Sequence, residues 1–137
     1  MKEKNKKKIV IICLIGIIVI FGMQLGFSIY KKKVPPRIGV STLEYDFNTI
    51  KQNSEAKCTF VIYNVGKKPL HIGEVVTSCG CTVVAINRKE IAADDTTALT
   101  VTYNTEQVGD FKKTILVRNN SINDNKLILK IKGKVVE

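Results

Sequence analysis

The chain changes its hydrophobic pattern once, and the change divides it. From Ile9 to Tyr30 run 22 residues without a charged side chain, with Gln24 and Ser28 the only clearly polar members. At about 1.5 Å per residue this predicts a helix of about 33 Å, enough to cross a hydrocarbon core of about 30 Å. A buried soluble helix is excluded on size, because a domain this small could not cover an all-round apolar rod. A cleavable signal peptide opens with the same basic-then-apolar pattern, but this run is longer than the usual apolar stretch and no small-x-small site follows it. The reading is one uncleaved transmembrane helix, with Tyr30 placed as an interfacial aromatic.

From Leu43 onward the period is two, and no helical stripe appears. Seven strand-like runs follow: Leu43 to Phe47, Cys58 to Tyr63, Leu70 to Val76, Thr82 to Ile86, Ala98 to Tyr103, Phe111 to Val117 and Leu127 to Val135. Asn64-Val65-Gly66, Pro69 and Asp94-Asp95 are among the turn signals between them. The alternation puts Leu99, Val101 and Tyr103 on one face, likewise Phe111, Ile115 and Val117, and likewise Leu127, Leu129, Ile131 and Val135. Lys130, Lys132 and Lys134 then form a solvated row, which would discourage edge pairing if that strand were an edge. The pattern predicts an all-β, immunoglobulin-like antiparallel sandwich of about seven strands, preceded by the transmembrane helix. It is not an antibody-type domain: there is no Trp, and the sixth strand has no Cys to meet Cys58.

The predicted organisation is a basic tail (1–8), the membrane helix (9–30), a juxtamembrane linker (31–42) stiffened by Pro35-Pro36, and the sandwich (43–137). The net charge of +10 follows the same division. Residues 1–37 carry nine basic side chains against Glu3 alone, whereas the rest carries thirteen basic against eleven acidic. Basicity belongs to the flanks of the helix, where lysines snorkel or meet anionic headgroups, so no nucleic-acid face is expected. The balance of five lysines before the helix and four basic residues after it leans weakly toward the N-terminus inside. The C-terminal domain is expected to lie outside the cytoplasm.

Catalytic machinery is not expected. The single histidine, His71, alternates with Leu70 and Ile72 and so faces outward without a nucleophile beside it. Phosphate loops, zinc helices and calcium loops are absent, and neither a cofactor nor a small-molecule substrate is called for. The feature that stands apart is Thr77-Ser78-Cys79-Gly80-Cys81-Thr82, between two strands. Three readings are open. Cys79 and Cys81 are small packing residues at a sheet corner, with Gly80 permitting an unusual turn. Alternatively they form a disulfide, either a tight ring of high reduction potential between themselves or a bridge from one of them to Cys58. Or the thiolates hold a soft ion such as Cu(I), with Cys58 and His71 the only further ligands at hand for zinc. Cys13, within the span, reads as apolar filler.

These residues resemble the bacterial family called domain of unknown function 1573. The family's "FDFG-I" start corresponds to Tyr45-Asp46-Phe47-Asn48-Thr49-Ile50, its "F-F-N-G" strand to Phe60, Ile62, Asn64 and Gly66, and its "PL-I" to Pro69, Leu70 and Ile72. The signature "SCGCT" is intact as Ser78 to Thr82. Later echoes are Tyr103-Asn104-Thr105, Gly109, Phe111, Lys113, Thr114, Ile115 and Val117, then Leu129, Ile131, Gly133 and Val135. The family's Pro-Gly turn before the fifth strand is here Ala93-Asp94, and its "ND-P" loop is Asn119-Asn120-Ser121. The resemblance implies an immunoglobulin-like fold, similar to domains of cilia- and sperm-associated proteins, in a cell-envelope setting. It implies no activity. The expectation is a membrane-anchored interaction or scaffolding domain that meets envelope proteins, with thiol redox or copper chemistry at Cys79 and Cys81 as the alternative.

Overall fold

In a computed structural model, residues 2–137 are described, with side chains described at 6, 8, 10–27 and 34–137. The chain forms two separate units, a helical one ending at Val34 and a β unit from Pro35 to Glu137.

The helical unit is α1 (Lys2–Lys33). Within it Val10–Phe27 reaches a mean hydropathy of 2.7, long and apolar enough to cross a membrane, a test that a signal sequence also passes. The side chains of Tyr30, the expected interfacial aromatic, and of Lys31, Lys32 and Lys33, expected to snorkel or meet headgroups, lie outside the described residues.

The β unit is an immunoglobulin-like sandwich of nine strands: β1 (Ile38–Val40), β2 (Glu44–Lys51), β3 (Ala56–Asn64), β4 (Leu70–Thr77), β5 (Thr82–Ile86), β6 (Glu90–Ile91), β7 (Thr96–Tyr103), β8 (Gly109–Asn119) and β9 (Lys126–Val136). One sheet has the order β1-β3-β7-β5 and the other β2-β9-β8-β4-β6. All seven expected strands are present, and two short ones are added. Ile38–Val40, placed in the linker by sequence, pairs with β3, so part of that segment belongs to the sandwich rather than to a spacer. Three residues behind Pro35-Pro36, and two at Glu90–Ile91, are too few to display a period.

Alternation fills the space between the sheets. Phe60, Ile62, Leu99 and Val101 from one sheet and Ile115, Val117, Leu129 and Ile131 from the other are fully buried. At about 1.5–3 kcal/mol per fully buried large apolar side chain, these eight supply a large share of the force opposing chain entropy. Phe111 stacks on Tyr103 at 3.9 Å between ring centroids and tilts against Phe47 at 6.1 Å, joining β8 to β7 and β2. Asn64 is buried too, and its side chain binds Lys68, Ile91 and Ala92 carbonyls and the Gly66 amide. Gly66 runs so close to Pro35 and Arg37 backbone that a Cβ there would collide with both.

Two details go beyond the expected pattern. Pairing is antiparallel except between β2 and β9, which run parallel. Six of the nine strands, β3 to β8, lie between these two in sequence, so no tight hairpin constrains their direction. The lysine row does not guard an edge either, since β9 lies between β2 and β8. Instead Lys132 pairs with Glu44 at 2.5 Å and with Asp46 at 3.7 Å on the neighbouring strand.

Candidate functional site

The chain leaves one sheet at Thr77 and enters the other at Thr82, and Ser78–Cys81 make that crossing. Backbone and hydroxyl groups pin it on both sides. The Ser78 amide donates to Thr114 O at 3.0 Å, and the Thr114 amide donates back to Ser78 Oγ at 3.1 Å. Thr77 Oγ1 donates to Cys79 O at 3.0 Å, and the Asn104 amide donates to Cys81 O at 2.9 Å. Cys79 and Cys81 are joined to each other by a disulfide. Both are half-buried, and Cys81 packs against the core.

This pairing separates the residues that the sequence left as alternatives. Cys58 is free and buried on β3 opposite Val101, and burial pushes its thiol up to about 11. It takes no part in the bridge. His71 lies at the other end of β4, exposed, with Nδ1 3.6 Å from Glu90 Oε2. With the two corner sulfurs spent on one another, this oxidised form offers no thiolate pair for a soft metal. Among the described residues no three His, Cys, Asp or Glu side chains cluster as a metal site. Gly80 needs no special backbone: its φ is not in the left-handed region, and a Cβ on it would meet nothing within 4 Å.

Beside Cys81 lies a pocket of about 130 Å³ lined also by Tyr103, Asn104, Glu106, Gln107 and Lys113. The Tyr103–Phe111 stack forms one support, and burial pushes the Tyr103 phenol upward. On the other side Cys79 Sγ lies 3.6 Å from Thr82 Oγ1. An oxidised sulfur has no hydrogen, so the hydroxyl is the donor. Sequence reasoning missed Lys113, Glu106 and Tyr103 as neighbours of the cysteines: Tyr103 comes beside them through the β5–β7 register, Glu106 follows in the loop after β7, and Lys113 arrives from β8 in the other sheet.

The bridge leads directly into β5, whose outer side is open. Asn104 N–H donates to Cys81 O and Asn87 N–H donates to Ala98 O, one at each end of the β5–β7 register. By antiparallel alternation, residues 81, 83, 85 and 87 bond to β7, so Thr82, Val84 and Ile86 turn their amides and carbonyls away from the sheet. The strand has no charge, no proline and no bulge. Val83 is 67% exposed, more than any other large apolar side chain of the sandwich. The other three edges are closed off. β1 is three residues long with Ile38 bonded to Asn123, β2 is charged and irregular between Asp46 and Thr49, and β6 has two residues.

The family described as "Protein of unknown function (DUF1573)" matches residues 38–135. No curated protein matches the chain. Among solved structures, a protein of unknown function from Porphyromonas gingivalis W83 is similar with a TM-score of 0.66 and 19% identity, over 72% of this chain and 46% of that one. The chain thus spans less than half of that protein. The ASH/PapD-like domain 7 of human CEP192 is similar at 0.58 and 10% identity, over 75% and 87%. The CARDB domain of PF1109 from Pyrococcus furiosus, solved with di-metal ions, is similar at 0.51 and 17% identity, over 74% and 90%. At these identities the likenesses concern the fold.

Proposed function

The chain belongs to the DUF1573 family, and from that premise we propose that it is a membrane-anchored, non-catalytic interaction module whose β5 edge takes up an extended segment of another envelope protein. The observation that carries this reading is the free row of amides and carbonyls on Thr82, Val84 and Ile86. Exposed edges are usually blunted by charge, proline, bulges or short length, and three of the four here are. An edge left bare beside apolar side chains is the geometry of strand addition: backbone bonds give affinity and alternate side chains give specificity.

The sheet face next to this edge supports the same reading. On the outward positions of β3, β7 and β5 the only charge is Lys57, among Thr59, Val61, Tyr63, Ala98 and Ala85. A partner strand laid on β5 would extend this neutral face, so its own outward residues are expected to be small or β-branched and uncharged. The helix supplies the tether, in an inner bacterial membrane with the sandwich outside the cytoplasm, which confines the search for partners to the envelope.

The test is Ala85→Lys in the full-length protein. The lysine projects from the outward face of an edge strand, so the fold is expected to be unchanged and capture of envelope partners from crosslinked cells lost. Undiminished capture with Ala85→Lys would contradict the edge reading.

A further inference from the structure

We propose that the Cys79–Cys81 disulfide is an exchangeable bond that accepts electrons from a protein dithiol, with Cys81 as the sulfur attacked. This stands apart from the strand-addition reading, because it rests on the corner and its pocket. Three observations carry it. The bridge spans two positions and closes a loop of three residues, so the loop-closure entropy it removes from the unfolded chain is small and it adds little to the stability of the fold. The Ser78–Thr114 and Asn104–Cys81 backbone bonds already hold the corner without it. Both cysteines are half-buried rather than sealed, and disulfides within reach of solvent are more labile than enclosed ones.

Direction of attack follows from the two sides of the bridge. Cys81 lines the small polar pocket, where Lys113 supplies a cation for an incoming thiolate and Glu106 the opposing carboxylate. Cys79 is not part of that lining, and it has the Thr82 hydroxyl 3.6 Å away. A thiolate entering the pocket forms a bond to Cys81 Sγ, and the Cys79–Cys81 bond breaks. The electron pair passes to Cys79 Sγ, where the Thr82 hydroxyl donates to the new thiolate until it takes up a proton. The partner's second thiolate then attacks the partner sulfur of the mixed disulfide and releases Cys81 as a thiolate, which is protonated in turn. The dithiol is oxidised by two electrons and the corner reduced by two.

The experiment opens the bridge in the full-length protein in detergent with millimolar reduced glutathione, quenches with N-ethylmaleimide, and maps adducts by mass spectrometry. The expected result is glutathione on Cys81 with maleimide on Cys79, and no modification of Cys58. An intact bridge, or glutathione on Cys79, would overturn the proposal. Lys113→Gln is expected to slow opening by glutathione severalfold at low salt, because the cation facing the attacking thiolate is lost, and the difference from the native protein is expected to shrink at high salt. Opening at the native rate in low salt overturns the role given to Lys113.

Discussion

Asn123 and Ile38, 85 positions apart, form a closed pair in which one side-chain amide caps one backbone unit. Asn123 Nδ2 donates to Ile38 O at 2.8 Å, and the Ile38 amide donates to Asn123 Oδ1 at 3.0 Å. Ile38 and Val40 are the β1 residues that turn their backbone groups away from β3, so a single loop residue caps half of that short edge. Replacing Asn123 with Ala is expected to destabilise the sandwich by about 1–2 kcal/mol, the loss of two such bonds. It should also expose a second edge. Urea unfolding gives the first quantity, and sedimentation reports any new self-association.

Asn64 carries a heavier load. It is 1% exposed, and its amide bonds three carbonyls while its oxygen accepts the Gly66 amide at 2.9 Å. Asn64→Ala leaves those buried groups without partners and is expected to destabilise by about 2–4 kcal/mol. Asn64→Asp should be no better, since a carboxylate would face the carbonyls of Lys68, Ile91 and Ala92. A midpoint shift in thermal unfolding checks both.

The turn before β7 keeps a backbone demand that its residues only partly meet. Asp94 has φ +61°, and the Asp95 amide donates to Ala92 O at 3.2 Å across the turn. Gly adopts that conformation freely, and Asp does so better than most. Asp94→Gly and Asp94→Ala lose the same Lys67 ion pair, so their difference isolates the backbone. The glycine variant is expected to be the more stable by about 1 kcal/mol.

Cys58 makes a pH prediction. Burial raises its folded pKa from 9.0 to about 11, so the neutral thiol contributes stability that is fully present below about 9 and lost as pH rises toward about 11. Relative to Cys58→Val, the native protein should therefore lose stability over that alkaline window. At neutral pH its thiol should resist alkylation until the sandwich unfolds. Denaturation midpoints at stepped pH values, with iodoacetamide kinetics, test the two parts.

Much of the fold was legible because alternation is a strong signal wherever a strand has one buried face. Leu127, Leu129, Ile131 and Val135 announce β9, and all are buried. What alternation could not disclose was pairing. Lys130, Lys132 and Lys134 look the same on an edge and on a central strand, and only the β2–β9 register reveals Glu44 and Asp46 beside them. Ile38–Val40 escaped because its strand character comes from β3 and Asn123. The cysteine corner was visible as a motif, but the choice among packing, bridge and metal site depended on where Cys58 lies, which spacing does not encode. Its pocket was invisible because Tyr103 meets it through strand pairing, Glu106 through a loop and Lys113 from the other sheet.

The most direct measurement of the central claim is site-specific photocrosslinking in cells, with a photoreactive residue at Val83 beside the open edge and, separately, at Ile128 on the outer face of the other sheet. The account predicts a discrete protein adduct from position 83, little from 128, and loss of the former when Val84→Pro removes an outward amide while leaving the β5–β7 bonds in place. Equal crosslinking from both positions, or an adduct from 83 that survives Val84→Pro, would contradict it.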